Sequence, residues 1–207
     1  MTLQNRVTPL GDILADPARG TLMGNRGILH DGERRLGRSR WKHKAWIACT
    51  LAFKGRRRPL MAPGHYTELF FLDEATSLAA GHRPCAECRR ADFNAFRAAW
   101  AAADERDTLP SAGVMDAGLH QARVDRWSRK QIRHERAAAD LPDGTFVLVD
   151  AEPWLVRRGR LLHWTLGGYD GAIALPGGKV TVITPAPIVA AMASGYSPAV
   201  HASAISA

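Results

Sequence analysis

The sequence predicts an α+β fold, a small sheet packed with helices and followed by a short β-rich C-terminal unit. Three observations carry this reading. The first half mixes short β-branched and aromatic runs with two stretches whose apolar residues recur at helical spacing. After Pro142-Asp143-Gly144 the composition turns to β. At 46% hydrophobic and 23% charged residues, the chain has enough apolar material for a core and is not of disordered composition.

The elements follow in order. Thr21-Leu22-Met23 reads as a strand, and Asp31-Gly32 as a hairpin-type turn. Ala45 to Phe53 suits a buried strand, and Tyr66 to Leu72 a second. Asp73 is a good N-cap for a short helix over 74–80, and Gly81 is its natural stop. Phe93, Phe96 and Trp100 share one helical face over 92–103. Met115, Leu119 and Ala122 begin the stripe of a longer helix expected to run from Val114 towards Ala139. Beyond Gly144, strands are expected at 145–149, 154–156, 161–164 and 180–183, with the Gly-rich 167–178 stretch as turns. A helix over 185–194 closes the fold, and the tail from Ser197 reads as frayed. A soft boundary near 140 separates an α+β part, 1–140, from a β-rich unit, 141–207. The two parts are compatible with one shared core.

Charge is the first unusual feature. The chain carries 28 Lys and Arg against 20 Asp and Glu, a formal net charge of +8. Polyanions are the commonest partners of such a field, and nucleic acid heads the expectation. No apolar run approaches the ~20 residues that cross a bilayer, so no membrane association is expected. Three cysteines, two of them in a tight C-x-x-C, are no disulfide framework. They point to a reducing, cytoplasmic compartment and to metal binding or redox chemistry.

The most informative segment runs from Tyr66 to Cys88, ending Gly81-His82-Arg83-Pro84-Cys85-Ala86-Glu87-Cys88. Two thiolates two residues apart in a turn can share one tetrahedral ion, and Arg83, Arg89 and Arg90 would favour the thiolate. Strand, short helix, glycine and then Arg-Pro-Cys-x-x-Cys, over residues 66–90, resembles the zinc domain of the Ada DNA-repair family. That family transfers a methyl group from DNA phosphotriesters to a zinc-bound cysteine. The resemblance implies Cys85 and Cys88 as zinc ligands and an association with DNA repair. It does not supply the nucleophile: the family has a further cysteine pair after an upstream strand, where this chain reads Lys54-Gly55-Arg56-Arg57-Arg58-Pro59. Cys49 and His65 are the additional candidate ligands, although a lone strand cysteine is more often a small core hydrophobe.

Arg34 to Arg58 holds ten cations and no carboxylate. Arg38, Arg40 and Lys42 interleave with Trp41, His43 and Trp46, a pattern in which cations meet phosphate and aromatic faces stack on bases. On a strand, residues two apart share a face, so Arg38, Arg40 and Lys42 are expected as one stripe continuous with Arg56, Arg57 and Arg58. The plainer reading is an edge strand protected by charge. Asp116, His120 and Arg123 fall at i, i+4 and i+7 on one helix and form the candidate catalytic set. They and the cysteine region support the alternative, a metal-assisted hydrolase or nuclease. A surface ion pair is the bland account of the same spacing.

Overall fold

The computed structural model describes residues 2–56 and 59–206. It confirms the α+β class: among the described residues, two six-stranded sheets are packed with helices. In chain order the first part contains β1 (Gln4–Val7), β2 (Ile13–Ala15), β3 (Leu22–Asn25), β4 (Ile47–Thr50) and β5 (Leu69–Phe71). It continues with α1 (Glu74–Ala79), β6 (Arg83–Pro84), α2 (Arg90–Ala103) and α3 (Ala112–Arg123). The second sheet follows with β7 (His134–Ala137), β8 (Phe146–Val149), β9 (Glu152–Arg157), β10 (Arg160–Thr165), β11 (Gly168–Ala174) and β12 (Lys179–Val182). Two helices close the chain, α4 (Ala186–Ala193) and α5 (Ser203–Ser206). The sheet orders are β2-β1-β5-β3-β4-β6 and β11-β10-β9-β8-β12-β7. Among the described residues no helix is long and apolar enough to cross a membrane.

Local chemistry explains the elements that matter for the site. Asp73, extended, accepts from the backbone N–H of Thr76 at 2.8 Å and caps α1. The turn after α1 needs Gly81: its φ is +83°, and a Cβ there would lie 2.5 Å from Arg123 Cδ. In α2 the stripe Phe93, Phe96 and Trp100 is buried as expected.

Three expectations are corrected. The second long helix stops at Arg123 rather than running towards Ala139. Val124 is β-branched and extended, and Asp125 Oδ1 accepts from the N–H groups of Trp127 and Ser128, a local turn that competes with helix. Part of the remaining stretch becomes β7, paired with β12. Gly168–Ala174, expected within a run of turns, is an edge strand on β10. The tail is not frayed, because α1 holds it: the N–H groups of Ala199 and His201 donate to the Glu74 and Asp73 carboxylates at 3.0 and 2.9 Å. Both carboxylates are buried and take further bonds, from Tyr169 Oη to Asp73 and from Tyr196 Oη to Glu74. Deleting residues 197–207 should therefore cost about 1.5–3 kcal/mol for each hydrogen bond to charge that it removes. A urea midpoint unchanged by the deletion would contradict this.

The main apolar cluster crosses the soft boundary at 140. Phe96 and Trp100 of α2 and Met115 and Leu119 of α3 pack with Val147, Val156, Leu161 and Val182 of the second sheet and Ile188 of α4. A second cluster, around Phe146, Leu155, Leu162 and Trp164, takes Leu72 and Ala75 from the first part. The first sheet keeps a small cluster of its own, including Val7, Leu69 and Phe71.

Candidate functional site

Two groups of chemically capable side chains lie at opposite ends of the short strand β4. The first is the cysteine cluster. β4 and β6 run parallel, with Ile47 opposite Arg83 and Ala48 opposite Pro84. The Cys85 N–H then donates to Ala48 O at 2.9 Å, so the next residue pair in the same register is Cys49 and Cys85. The chain turns over Ala86-Glu87 and delivers Cys88 just ahead of α2, whose N-terminus favours a thiolate. The sulfurs of Cys49, Cys85 and Cys88 all lie within 4.8 Å of one another. Cys49 is thus a member of the cluster rather than a core hydrophobe. His65 is exposed and does not belong to this group of three.

The protons are shared unevenly. A hydrogen bond from Cys49 pulls Cys85 down to about 5 against the opposing effect of burial, with backbone N–H groups of Cys88 and Glu87 assisting. Cys49 is pushed up, by that same bond to Cys85 and then by burial. The Glu87 N–H lies 3.4 Å from Cys85 Sγ. Three soft donors, one already biased to thiolate and stabilised by backbone N–H groups, fit a thiophilic ion such as zinc and do not suit magnesium or calcium. On the surface above them Arg56 pairs with Glu87 at 2.8 Å.

The second group lines a cavity of about 660 Å³ before β4. Its walls include Arg26, Arg40, Trp41, Trp46, Arg123, Arg129, Lys130, Gln131 and Arg133. Arg26 and Arg123 are each only 2% exposed, and their guanidinium carbons sit 4.1 and 3.8 Å from the centre of the Trp46 ring. Arg129 lies over Trp41 at 4.3 Å. Burial, above all, lowers both Arg26 and Arg123 to about 9. Beside them His82 is pushed well down by burial and then by both cations, and its Nε2 accepts from Arg26 Nε at 3.3 Å.

The candidate residues fall unevenly across these groups. The expected stripe of Arg38, Arg40 and Lys42 has no strand to stand on. Residues 38–46 form bends, and β4 starts only at Ile47. The reason lies outside the block: Trp46 turns inward under the guanidiniums of Arg26 and Arg123, and Lys42 N–H donates to Arg26 O at 2.7 Å. Arg38, Arg40, Lys42 and Lys44 are exposed on that loop, whereas Arg56 lies past the other end of β4. Arg57 and Arg58 lie outside the described residues.

The α3 set is divided as well. Both Asp116 oxygens are held by Arg83, each at 2.8 Å, with both side chains buried. His120 faces Arg123 at 3.4 Å and sits edge-on to Trp41, and burial and then Arg123 and Lys44 lower its pKa. Arg123 belongs to the cavity. Sequence reasoning missed Arg26, Arg129 and Arg133, which come from separate segments and follow no local pattern. No known protein family, curated protein or solved structure matches this chain.

Proposed function

We propose that the protein binds nucleic acid, in a repair-associated role, and that Cys49, Cys85 and Cys88 hold a zinc ion that clamps β4 and β6 to the start of α2. The observation that carries the reading is the 38–44 loop. It presents Arg38, Arg40, Lys42 and Lys44 to solvent beside the half-buried Trp41, and among the described residues none of the four pairs with a carboxylate. The loop is anchored by Lys42 N–H to Arg26 O and by the Trp46 Nε1–H to His43 O at 3.0 Å. A fixed cationic loop with an aromatic ring suits a phosphate backbone and its bases. Zinc here supplies a rigid cross-link between elements, or with three protein ligands an exchangeable fourth position. The likeness of residues 66–90 to the Ada zinc domain supports the repair association.

The alternative, a metal-assisted hydrolase or nuclease built on Asp116 and His120, has less support. Asp116 spends both oxygens on Arg83, and His120 lies beside Arg123 and Lys44, which disfavour its charged form.

Fluorescence anisotropy with single- and double-stranded DNA over a range of salt tests the proposal. Affinity should fall with salt, and substituting Arg38, Lys42 and Lys44 with Ala should flatten the log–log slope by about 0.9 for each duplex phosphate the loop no longer neutralises. Substituting Arg56, Arg57 and Arg58 asks the same of the far end of β4. Absence of binding at low salt, or a slope indifferent to both triple variants, overturns the reading.

A further inference from the structure

The cavity before β4 is set apart by its charge. Its walls carry six cations, Arg26, Arg40, Arg123, Arg129, Lys130 and Arg133, against the single carboxylate of Asp12. None of the six lies within ion-pair distance of a carboxylate among the described residues. A surface cation can leave its charge to water, but Arg26 and Arg123 cannot. Arg26 is satisfied only by neutral acceptors, His82 Nε2 and Gly11 O at 3.2 Å, and its buried Nη2 has no partner. Arg123 donates to Gly81 O at 2.8 Å and Lys44 O at 2.6 Å, and its buried Nε has no partner.

Burying a charge without a counter-charge is costly, and proteins bear that cost where a ligand completes the site. Here the arrangement is built rather than incidental. Gly81 leaves the space through which the Arg123 stem passes, and Trp46 holds both guanidiniums against one ring. Two guanidiniums on one ring leave Arg26 Nη2 and Arg123 Nε as donors still unpaired and suited to a tetrahedral oxyanion. Their summed charge matches the dianion of a phosphate monoester better than the monoanion of a diester. A cavity of about 660 Å³ is also of nucleotide size, and Trp41 adds an aromatic ring to the wall.

We propose that this cavity is a phosphomonoester site, with Arg26 and Arg123 binding the phosphate and Trp41 beside the group it is attached to. The monoester is either a free nucleotide or the terminal phosphate of a nucleic-acid strand; the chemistry is shared and the experiment separates them. The site shares Arg40 and Trp41 with the 38–44 loop, but its phosphate donors, Arg26 and Arg123, come from outside it.

The test uses the full-length protein. Its melting temperature and calorimetric titrations are followed with adenosine 5′-monophosphate, inorganic phosphate and adenosine, chloride being adjusted to equal ionic strength. Matched oligonucleotides with and without a 5′-phosphate complete the panel. Expected results are stabilisation by phosphate and by the monophosphate, and none by adenosine. Arg26→Gln should weaken monophosphate binding at least tenfold. Should that variant fail to fold, the exposed pair Arg129→Gln/Arg133→Gln should weaken it severalfold on an intact fold. A preference of tenfold or more for the 5′-phosphorylated oligonucleotide identifies a strand end as the source; equal oligonucleotide affinities alongside monophosphate binding identify a free nucleotide. Equal response to adenosine and its monophosphate, together with no effect of the 5′-phosphate, overturns the site. DNA binding through the 38–44 loop would survive that result, and failure of the loop to bind DNA would leave monophosphate binding intact.

Discussion

Replacing Asp116 with alanine should destabilise the protein by about 3–5 kcal/mol, because it strands a buried guanidinium. Arg83 and Asp116 form a two-pronged ion pair, Nε to Oδ1 and Nη2 to Oδ2, both at 2.8 Å, with side-chain exposures of only 5% and 10%. Without the carboxylate Arg83 keeps only the bond from Nη1 to Pro84 O. The loss is a large fraction of a stability of about 5–15 kcal/mol. Removing both charges, as Arg83→Met/Asp116→Leu, should restore most of it, since paired replacement by apolar residues of similar size is often neutral or better. Urea denaturation of the two single variants and the double variant measures the coupling directly. If Asp116 were instead a catalytic acid or base, its removal would leave the denaturation midpoint near that of the parent. The pair also has a positional duty. Arg83 is two residues before Cys85, so the bridge ties the cysteine turn to α3, and the Asp116 variant should hold zinc less tightly.

How much of this architecture was legible follows from how local each cause is. The α2 stripe of Phe93, Phe96 and Trp100 and the Asp73 cap are short-range patterns, and both elements lie within two residues of expectation. The α3 stripe was equally clear at its start, but its end depended on the turn Asp125 makes with its own neighbours. That turn overrode residues that would otherwise propagate a helix. β11 was hidden for a related reason: its glycines read as turns, although pairing with β10 supplies the order they lack.

The site was less visible than the fold, again for reasons of range. Cys85 and Cys88 announce themselves by spacing. Cys49 is recruited by parallel pairing of β4 with β6 across more than thirty residues, which no local pattern encodes. The cavity is harder still, since Arg26, Trp46, Arg123 and Arg129 converge from separate segments. Arg123 could be placed on a helix face with His120, but not the indole it would meet. The basic block announces its charge and aromatic content, and its expected strand is present at Ile47–Thr50, but the 38–46 run that carries the cationic stripe is not strand. Its Trp46 is diverted inward by two cations whose positions the block itself does not set.

The second large effect concerns the cysteines. The purified protein should contain about one zinc per chain, and the substitution Cys85→Ser/Cys88→Ser should abolish it. Structural zinc is worth about 10–16 kcal/mol to small peptides that have no other core. Here apolar clusters support the rest of the molecule, so the cost should fall on the junction of β4, β6 and α2 rather than unfold the chain. Melting should drop by several degrees, and amide exchange should quicken around residues 47–50 and 83–90 before it does in the second sheet. Cys49→Ser separates a three-sulfur centre from a two-sulfur one: loss of metal by this variant alone would make Cys49 a ligand. Substituting cobalt gives a second readout, since its sulfur charge-transfer band should weaken as cysteines are removed. Serine at position 49 with full metal content would place Cys49 outside the coordination sphere, and full content in the double variant would remove the metal from this cluster altogether.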